Sequence, residues 1–387
     1  MMTIGIVGSG AMGAGIAQVV AQAGHPVRLF DQDAAALARA TAGLAATLGK
    51  LAEKGKLTPE VAAATKARIS PAASLGELAG CGLVLEAIVE KLEAKQQLFR
   101  ELEVVVGEEC LLATNTSSLS VTAIAAACQQ PERCVGIHFF NPAPVLPLVE
   151  VVAAAQTRPG LADEVRTLVQ SWGKRPVLAQ DTPGFIVNRV ARPFYGEALR
   201  ILEEGLADIA TIDWALTELG GFRMGPFALM DFIGHDVNFR VTEAVFAAFF
   251  FDPRYRPSFR QQQLLLAGYL GCKTGRGFYD YASGAVPPTP TRDAVLGQRL
   301  VQRVLAMLIN EAADALYLGV ASAADLETAM TAGVNYPKGL LAWANELGPA
   351  HVLATLDGLF AEYHDPRYRA SPLLRRLART HQLFELA

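Results

Sequence analysis

The sequence predicts an α/β domain followed by two tandem all-α domains, and three observations carry that prediction. A glycine-rich turn joins a short β-rich run to an apolar helical pattern near the N-terminus. Further short apolar runs alternate with helical segments as far as Ala179. Beyond them, residues 185–280 and 299–379 repeat one another. A chain of 387 residues has room for two or three domains. The expected division is 1–182 for the α/β domain, 183–284 for the first helical copy, 285–298 for a linker and 299–387 for the second copy.

The α/β domain opens on Thr3–Val7, a β-rich run that leads into Gly8-Ser-Gly10-Ala-Met-Gly13. A helical pattern through Ile16, Val19, Val20 and Ala23 follows, and a second strand, Val27–Phe30, ends at Asp31. Gly8 permits the tight turn, Gly10 lets the backbone approach a pyrophosphate, and Gly13 lets the helix pack close to the strand. The helix N-terminus offers N–H donors and a positive dipole end to phosphates. A lone glycine fingerprint is a weak signal, but the flanking strand, the helix and the following acid make this one specific. Asp31 is expected to accept from the adenosine ribose hydroxyls and to repel a 2′-phosphate, which selects NAD over NADP. Gln32 and Asp33 follow it, and no arginine does. The fold class is therefore a Rossmann-type dinucleotide-binding domain. Its further strands are predicted at Leu83–Ala87, Leu111–Thr114, Cys134–Ile137, Leu148–Val152 and Pro176–Ala179. A polar–apolar helical region is predicted from Ala34 to Lys56.

The stretch from Asn115 to Glu150 carries the chemistry. It holds Asn115-Thr-Ser117-Ser118, then His138-Phe-Phe-Asn141-Pro, then Glu150 in an apolar segment. Imidazole trades protons near neutral pH, and a carboxylate can orient it. Ser117 and His138 both follow predicted strand ends, where open α/β sheets bind ligands. His25, in a Gly-His-Pro turn, reads as structural.

The repeat is dense. Phe185-Ile-Val-Asn188-Arg189-Val190 finds its counterpart in Leu300-Val-Gln302-Arg303-Val304, and Glu197 in Glu311. Gly205, Gly225 and Gly234 recur 114 positions later at Gly319, Gly339 and Gly348. Asp252-Pro-Arg-Tyr-Arg256 recurs verbatim at Asp365-Pro-Arg-Tyr-Arg369. A tandem duplication follows, with the two copies burying apolar faces against each other like an isologous dimer within one chain. The first copy opens on a helix through Val187, Val190, Ala191, Phe194, Tyr195, Ala198 and Leu202, which Pro193 is expected to kink. Gln302 replaces Asn188 in the second copy, so any role of Asn188 belongs to the first copy; with one glycine fingerprint and one His138, one active site per chain is expected.

Composition excludes other classes. Net charge is −4, so no basic field draws nucleic acid. No window approaches the ~20 apolar residues that cross a bilayer, and the N-terminus reads as a first strand and not a signal peptide. The five cysteines, Cys81, Cys110, Cys128, Cys134 and Cys272, are odd in number and form no Cys-x-x-Cys pair. They read as reduced thiols of a cytoplasmic protein, with neither a disulfide framework nor a metal site.

These motifs together resemble the NAD-dependent L-3-hydroxyacyl-CoA dehydrogenase family, in the branch with a doubled C-terminal domain that includes 3-hydroxybutyryl-CoA and 3-hydroxyadipyl-CoA dehydrogenases. The resemblance also rests on Glu86-Ala-Ile-Val-Glu90, Asp181-Thr-Pro-Gly-Phe-Ile-Val-Asn-Arg189 and Lys273-Thr-Gly-x-Gly-Phe-Tyr279. It implies that His138 is the catalytic base, that Glu150 orients it, and that Ser117 and Asn188 contact the substrate oxygens. It places Glu90, Lys95, Asn115, Ser117, Asn141 and Lys273 near NAD, alongside Gly8, Gly10, Ala11, Met12, Gly13, Asp31 and Gln32 of the fingerprint. It implies that Thr47, Lys50 and Lys54 hold the coenzyme A moiety of an acyl-CoA substrate. An L-gulonate 3-dehydrogenase-like enzyme and a crystallin-like NAD-binding structural protein are the alternatives; His-Phe-Phe-Asn-Pro points to the acyl-CoA branch. Arg192, Arg223 and Arg240 are candidates to face a carboxylate at the far end of the acyl chain, although a surface charge is the plainer reading of each. The paired helical copies suggest a monomer, with a homodimer as the alternative.

Overall fold

The computed structural model describes residues 1–386, which form two compact units, one ending at Phe185 and the other beginning at Ile186. In the first unit, β1 (Ile4–Val7) leads through the glycine turn to α1 (Ala11–Gln22) and β2 (Val27–Phe30). Then come α2 (Ala34–Glu53), α3 (Pro59–Arg68), β3 (Ile69–Ala72) and β4 (Leu83–Glu86). After α4 (Leu92–Val105), β5 (Leu111–Thr114) and α5 (Val121–Ala125), the strands β6 (Cys134–Phe139) and β7 (Leu148–Ala153) follow. The unit closes with α6 (Leu161–Ser171) and β8 (Arg175–Gln180).

One eight-stranded sheet runs in the order β3-β2-β1-β4-β5-β6-β7-β8. Strands β1 to β6 are parallel, and β7 turns back antiparallel to β6 with β8 parallel to β7. Parallel strands covered on both faces must be apolar throughout: Ile4, Ile6, Leu83, Leu85, Val135 and Ile137 are all buried in one core. The register lines up Phe30, Val7, Glu86, Thr114 and Gly136 across the sheet. The turns that follow these strands therefore emerge along one edge.

The helical region expected at Ala34–Lys56 is α2, and a second helix, α3, which the sequence reading did not place, follows it. Gly55 is left-handed (φ +65°), and Thr58 starts a new helix by accepting from Val61 N–H at 3.3 Å, with Pro59 in its first turn. The additional strand β3 contains Pro71, which a sheet tolerates only at its edge, and β3 is the edge strand.

The second unit begins with α7 (Val187–Val190) and α8 (Arg192–Glu203), followed by α9 (Ile209–Trp214) and α10 (Pro226–Ile233). The helices α11 (His235–Ala248) and α12 (Phe259–Leu266) complete the first copy. The second copy holds α13 (Ala294–Tyr317), α14 (Ala323–Gly333), α15 (Leu340–Leu347), α16 (Pro349–Tyr363) and α17 (Pro372–Thr380). Pro193 ends α7 rather than kinking a continuous helix. Helix α13 starts inside the segment read as linker, because Asp293 accepts from Val295 and Leu296 N–H.

The repeat has a physical logic. Glu311 of copy two accepts from Arg189 Nε (2.6 Å) and from Tyr255 of copy one, with Arg254 Nη1 at 3.5 Å. Glu197 of copy one accepts from Arg303 Nε (3.1 Å) and Tyr368 of copy two, with Arg367 Nε at 3.9 Å. Each copy's glutamate is thus held by the other copy's helix arginine and by the Arg-Tyr of its Asp-Pro-Arg-Tyr-Arg segment. Buried charges persist only when paired and hydrogen-bonded, which explains why that pentapeptide is kept verbatim. Within each copy the correspondence continues. Asp213 accepts from Phe227 and Ala228 N–H, and Glu327 accepts from Leu341 and Ala342 N–H. A Cβ on Gly225 or Gly339 would collide with those carboxylates at 2.3 and 1.8 Å, so both helix starts need glycine.

Candidate active site

The glycine turn is built as its sequence implies. Gly8 has φ +102°, and a Cβ there would lie 2.5 Å from the carbonyl oxygen of Ala87. A Cβ on Gly13 would lie 1.8 Å from the Gly8 carbonyl oxygen, so helix and turn are in contact. Gly10, by contrast, has nothing within 4 Å of where a Cβ would stand, and no side chain caps α1. An open glycine over uncapped N–H donors fits a pyrophosphate. Ala11 is exposed and Met12 packs partly against the core.

Asp31 follows β2 at the same edge. Its Oδ2 accepts from Ser9 N–H and Ser9 Oγ–H, both at 2.7 Å, and its Oδ1 accepts from Asp33 N–H at 3.0 Å. Partial burial raises its pKa, but the bonds from Asp33 and Ser9 outweigh that and hold it below the ordinary aspartate value. A fixed anion thus stands at the ribose end of the fingerprint, with Gln32 exposed beside it.

The motif after β4 organises the neighbouring turns. Glu86 is fully buried and accepts from Lys95 Nζ (2.5 Å), Ile88 N–H (2.7 Å) and Thr114 Oγ1 (2.7 Å). Lys95 also approaches Glu90 Oε2 at 3.1 Å. Glu90 Oε1 in turn accepts from Thr116 Oγ1 (2.6 Å), Ser117 N–H (2.9 Å) and Ser118 N–H (3.2 Å). Desolvation raises the Glu90 pKa, but Lys95 and these donors leave it net lowered. Lys95 is only 1% exposed, and its ammonium joins the two carboxylates of the motif. Ser117 is half-buried on the loop that Glu90 fixes.

His138 is the centre of the arrangement. It lies directly opposite Glu150 in the antiparallel pairing of β6 and β7. Directly opposed side chains project from the same face of a sheet, and His138 Nδ1 meets Glu150 Oε2 at 2.7 Å. Glu150 is 0% exposed and His138 5%. The imidazole is flanked by Phe140 at 4.5 Å and Phe185 at 5.9 Å between ring centroids. Asn115 Oδ1 accepts from Phe139 N–H at 2.8 Å, which ties the end of β5 to the strand that carries the histidine. A buried carboxylate on Nδ1 fixes the proton there and leaves Nε2 as the acceptor. That is the equipment of a general base. Asn141 is exposed on the turn that follows.

The remaining expected residues stand on other elements. Thr47, Lys50 and Lys54 are exposed on the C-terminal half of α2 and the residue after it, while Leu37, Leu44 and Leu48 turn inward. Asn188, half-buried on α7, and Lys273 belong to the second unit. Lys273 Nζ pairs with Asp236 at 2.5 Å. His25 bonds the Met2 carbonyl through Nδ1 at 3.1 Å, as a structural histidine does. Sequence reasoning missed the roles of Glu86, a carboxylate ending the apolar run Leu-Val-Leu, and of Asp181. Asp181 accepts from Ser120 Oγ and from Val121 and Thr122 N–H at the start of α5. Among the described residues no cluster of side chains suited to a metal occurs, and no helix is long and apolar enough to cross a membrane.

Known proteins share this sequence and architecture. The family described as "3-hydroxyacyl-CoA dehydrogenase, NAD binding domain" matches residues 3–182. The family described as "3-hydroxyacyl-CoA dehydrogenase, C-terminal domain" matches twice, at 184–281 and 300–385. The chain is 42% identical to a 3-hydroxyadipyl-CoA dehydrogenase of Escherichia coli K12 over 98% of both chains. It is 39% identical to the human mitochondrial hydroxyacyl-coenzyme A dehydrogenase, over 71% of this chain and 90% of that one. The crystal structure of an E. coli 3-hydroxybutyryl-CoA dehydrogenase superposes with a TM-score of 0.94 at 40% identity, covering 98% of each chain.

Proposed function

The chain belongs to the 3-hydroxyacyl-CoA dehydrogenase family and carries out NAD-dependent oxidation of a hydroxyacyl-CoA; we propose that His138 is the general base of this reaction and Glu150 the carboxylate that orients it. The observation that carries the proposal is their contact, a buried 2.7 Å pair in direct register at the ligand-binding edge of the sheet. His138 Nε2 takes the proton of the 3-hydroxyl as the carbonyl forms. Glu150 keeps the other ring proton on Nδ1 and stabilises the imidazolium that results. NAD, when bound, accepts the hydride released by C3. In the reducing direction the imidazolium returns its proton to the nascent alkoxide.

Ser117 and Asn188 position the substrate oxygens in this reading, so that the bound alcohol is held near its reactive geometry. Gly8, Gly10, Ala11, Met12 and Gly13 receive the pyrophosphate, Asp31 and Gln32 the adenosine ribose. Glu90 and Asn115 shape the loops beside the nicotinamide, and Asn141 borders them. Thr47, Lys50 and Lys54 receive the coenzyme A moiety, two of them cationic towards its phosphates.

The test is NADH oxidation with acetoacetyl-CoA set against a 3-keto sugar acid. Turnover with the thioester and none with the sugar acid is expected; the reverse pattern would remove the acyl-CoA reading. In the same assay Asp31→Ala is expected to narrow the preference for NADH over NADPH by about tenfold or more, since the loss of one fixed anion is worth at least ~1.4 kcal/mol against a 2′-phosphate. Unchanged discrimination would take Asp31 out of the ribose site. We further propose a monomer, because the helical copies already cover each other's apolar faces within one chain. Light scattering is expected to give the mass of a single chain, and a stable mass of twice that would sink the monomer.

A further inference from the structure

All five cysteines are free, and two of them are in contact. Cys134 Sγ–H donates to Cys128 Sγ at 3.8 Å, a weak bond of the kind thiols make. Among the described residues no other two cysteine sulfurs are hydrogen-bonded to each other. The partners differ in access. Cys134 opens β6 and is 0% exposed, while Cys128 is half-buried on the turn after α5, with Ala126 and Gln129 exposed around it. Cys128 N–H donates to the Ala125 carbonyl at 3.0 Å. The next two amides, of Gln129 and Gln130, both donate to the Glu103 carboxylate at 2.7 Å. The backbone is thus fixed on both sides of Cys128, and it holds that sulfur against Cys134.

The surroundings divide the two thiols by role. The bond from Cys134 stabilises an anion on Cys128, and together with Arg133 and Arg100 it holds the Cys128 pKa below the ordinary cysteine value, against burial and the Glu103 charge. The same bond and burial push the Cys134 thiol up. A thiolate is the nucleophile of disulfide exchange. The reachable sulfur is therefore the one that ionises, and the buried sulfur keeps its proton beside it. The contact stands at the first residue of β6, and His138 lies four residues further along the strand, about 13 Å away at the rise of a β-strand. The pair is separate from the acid–base site, and the oxidation of a hydroxyacyl-CoA uses neither thiol.

We propose that Cys128 and Cys134 form a modification site for low-molecular-weight disulfides such as oxidised glutathione, in which Cys128 attacks and Cys134 resolves the product into an internal disulfide. The Cys128 thiolate attacks one sulfur of the small disulfide and expels the other as a thiolate, leaving a mixed disulfide on Cys128. Cys134 Sγ then attacks Cys128 Sγ, and the second small thiolate departs. The two protons lost by the cysteines end on the two released thiols. Two protein thiols are thereby oxidised by two electrons to one disulfide, and one small disulfide is reduced to two thiols. A disulfide needs about 2.0 Å between its sulfurs, so the pair closes by roughly 1.8 Å. Cys128 lies outside every helix and strand, and its side chain is the one that moves. The bond then ties the turn after α5 to the start of β6.

The test treats the reduced, folded enzyme with oxidised glutathione, quenches it in acid, alkylates the remaining thiols under denaturing conditions and reads the mass. A Cys272→Ser background removes the one exposed thiol and leaves the other four. Two of those four are expected to escape alkylation, with no glutathione retained. Tryptic digestion should then join the peptide that ends at Arg133 and carries Cys128 to the peptide that begins at Cys134. Adding Cys128→Ser should restore alkylation of every remaining thiol and abolish the joined peptides. Adding Cys134→Ala should instead leave glutathione on Cys128, because nothing resolves the mixed disulfide. Alkylation of all four thiols after treatment overturns the inference. So does a mixed disulfide that persists on Cys128 while Cys134 is present. Joined peptides that survive Cys128→Ser overturn it as well, since they would place the bond on Cys110, which lies in the same tryptic peptide. Cys134 is fully buried, so if Cys134→Ala fails to fold, the half-buried Cys128→Ser still decides the question.

Discussion

Replacing His138 with glutamine is expected to lower kcat by about 10²–10⁴-fold, the usual contribution of a positioned general base, while NADH binding persists. The reason lies in the division of labour at the sheet edge. In the proposed site the pyrophosphate and ribose contacts come from Gly10, the start of α1 and Asp31, none of which touches the imidazole. His138 is buried against Phe140 and Phe185 and spends Nδ1 on Glu150, so it offers the substrate one nitrogen. Glutamine fills much of the same space without a titratable atom. A companion variant separates orientation from base strength. Glu150→Gln can donate an amide hydrogen to Nδ1, and that traps the ring proton on Nε2, where the substrate's hydroxyl needs an acceptor. Its kcat is therefore expected to fall too, although His138 is intact. Single-turnover hydride transfer checks both variants. A His138→Gln enzyme with wild-type turnover would end the assignment of the base.

Much of this site was legible because its residues follow strand ends, and strand ends were legible from short apolar runs. The register that aligns Val7, Glu86 and Thr114 was not. Nor was the direct opposition of His138 and Glu150, which requires knowing that β7 reverses direction against β6. β3 escaped detection because Pro71 interrupts a four-residue run, and only its place at the sheet edge makes that proline harmless. That Lys95 joins Glu90 to Glu86 was not legible either. A lysine can point back into the protein when a second carboxylate, here Glu86, waits at the strand end. Arg192 was misread as a surface charge for a different reason. It is buried and stands among Val190, Ala191, Phe194 and Tyr195, all buried too, and an arginine inside an apolar helical run is a signal of its own. The repeat was plain as a pattern, but nothing in a single sequence says that a glutamate of one copy is held by the other copy's arginine and tyrosine.

That cross-pairing gives the second large effect. Glu311→Ala is expected to destabilise the helical unit by about 3–5 kcal/mol, the cost of removing one member of a buried ion cluster. The carboxylate is 1% exposed and is shared by Arg189, Arg254 and Tyr255. Its deletion leaves Arg189 with Asp314 alone and Arg254 with Asp314 and Asp252, two guanidinium groups that are 1% and 8% exposed and then exceed the negative charge buried beside them. Burial by itself would raise the pKa of Glu311, but Arg189 and Arg254 hold it below the ordinary glutamate value. The sign follows: its stabilising contribution is complete above about pH 4.3, the ordinary glutamate pKa, and disappears as pH falls through the lower folded value. The pseudo-symmetry makes a sharper demand. Glu197→Ala removes the equivalent carboxylate from Arg303, Arg367 and Tyr368 and should cost a similar amount. Replacing Arg189 and Glu311 together with methionines should cost less than Glu311→Ala alone, because no unpaired charge remains at that pair. Urea unfolding followed by helical circular dichroism measures all three. A Glu311→Ala loss below about 1 kcal/mol would mean the cluster is screened like a surface pair. Arg189 is the next residue after Asn188, so the carboxylate that anchors Arg189 also fixes the turn that presents Asn188. The Glu311→Ala enzyme is therefore expected to show a raised KM for acyl-CoA even at temperatures where it stays folded.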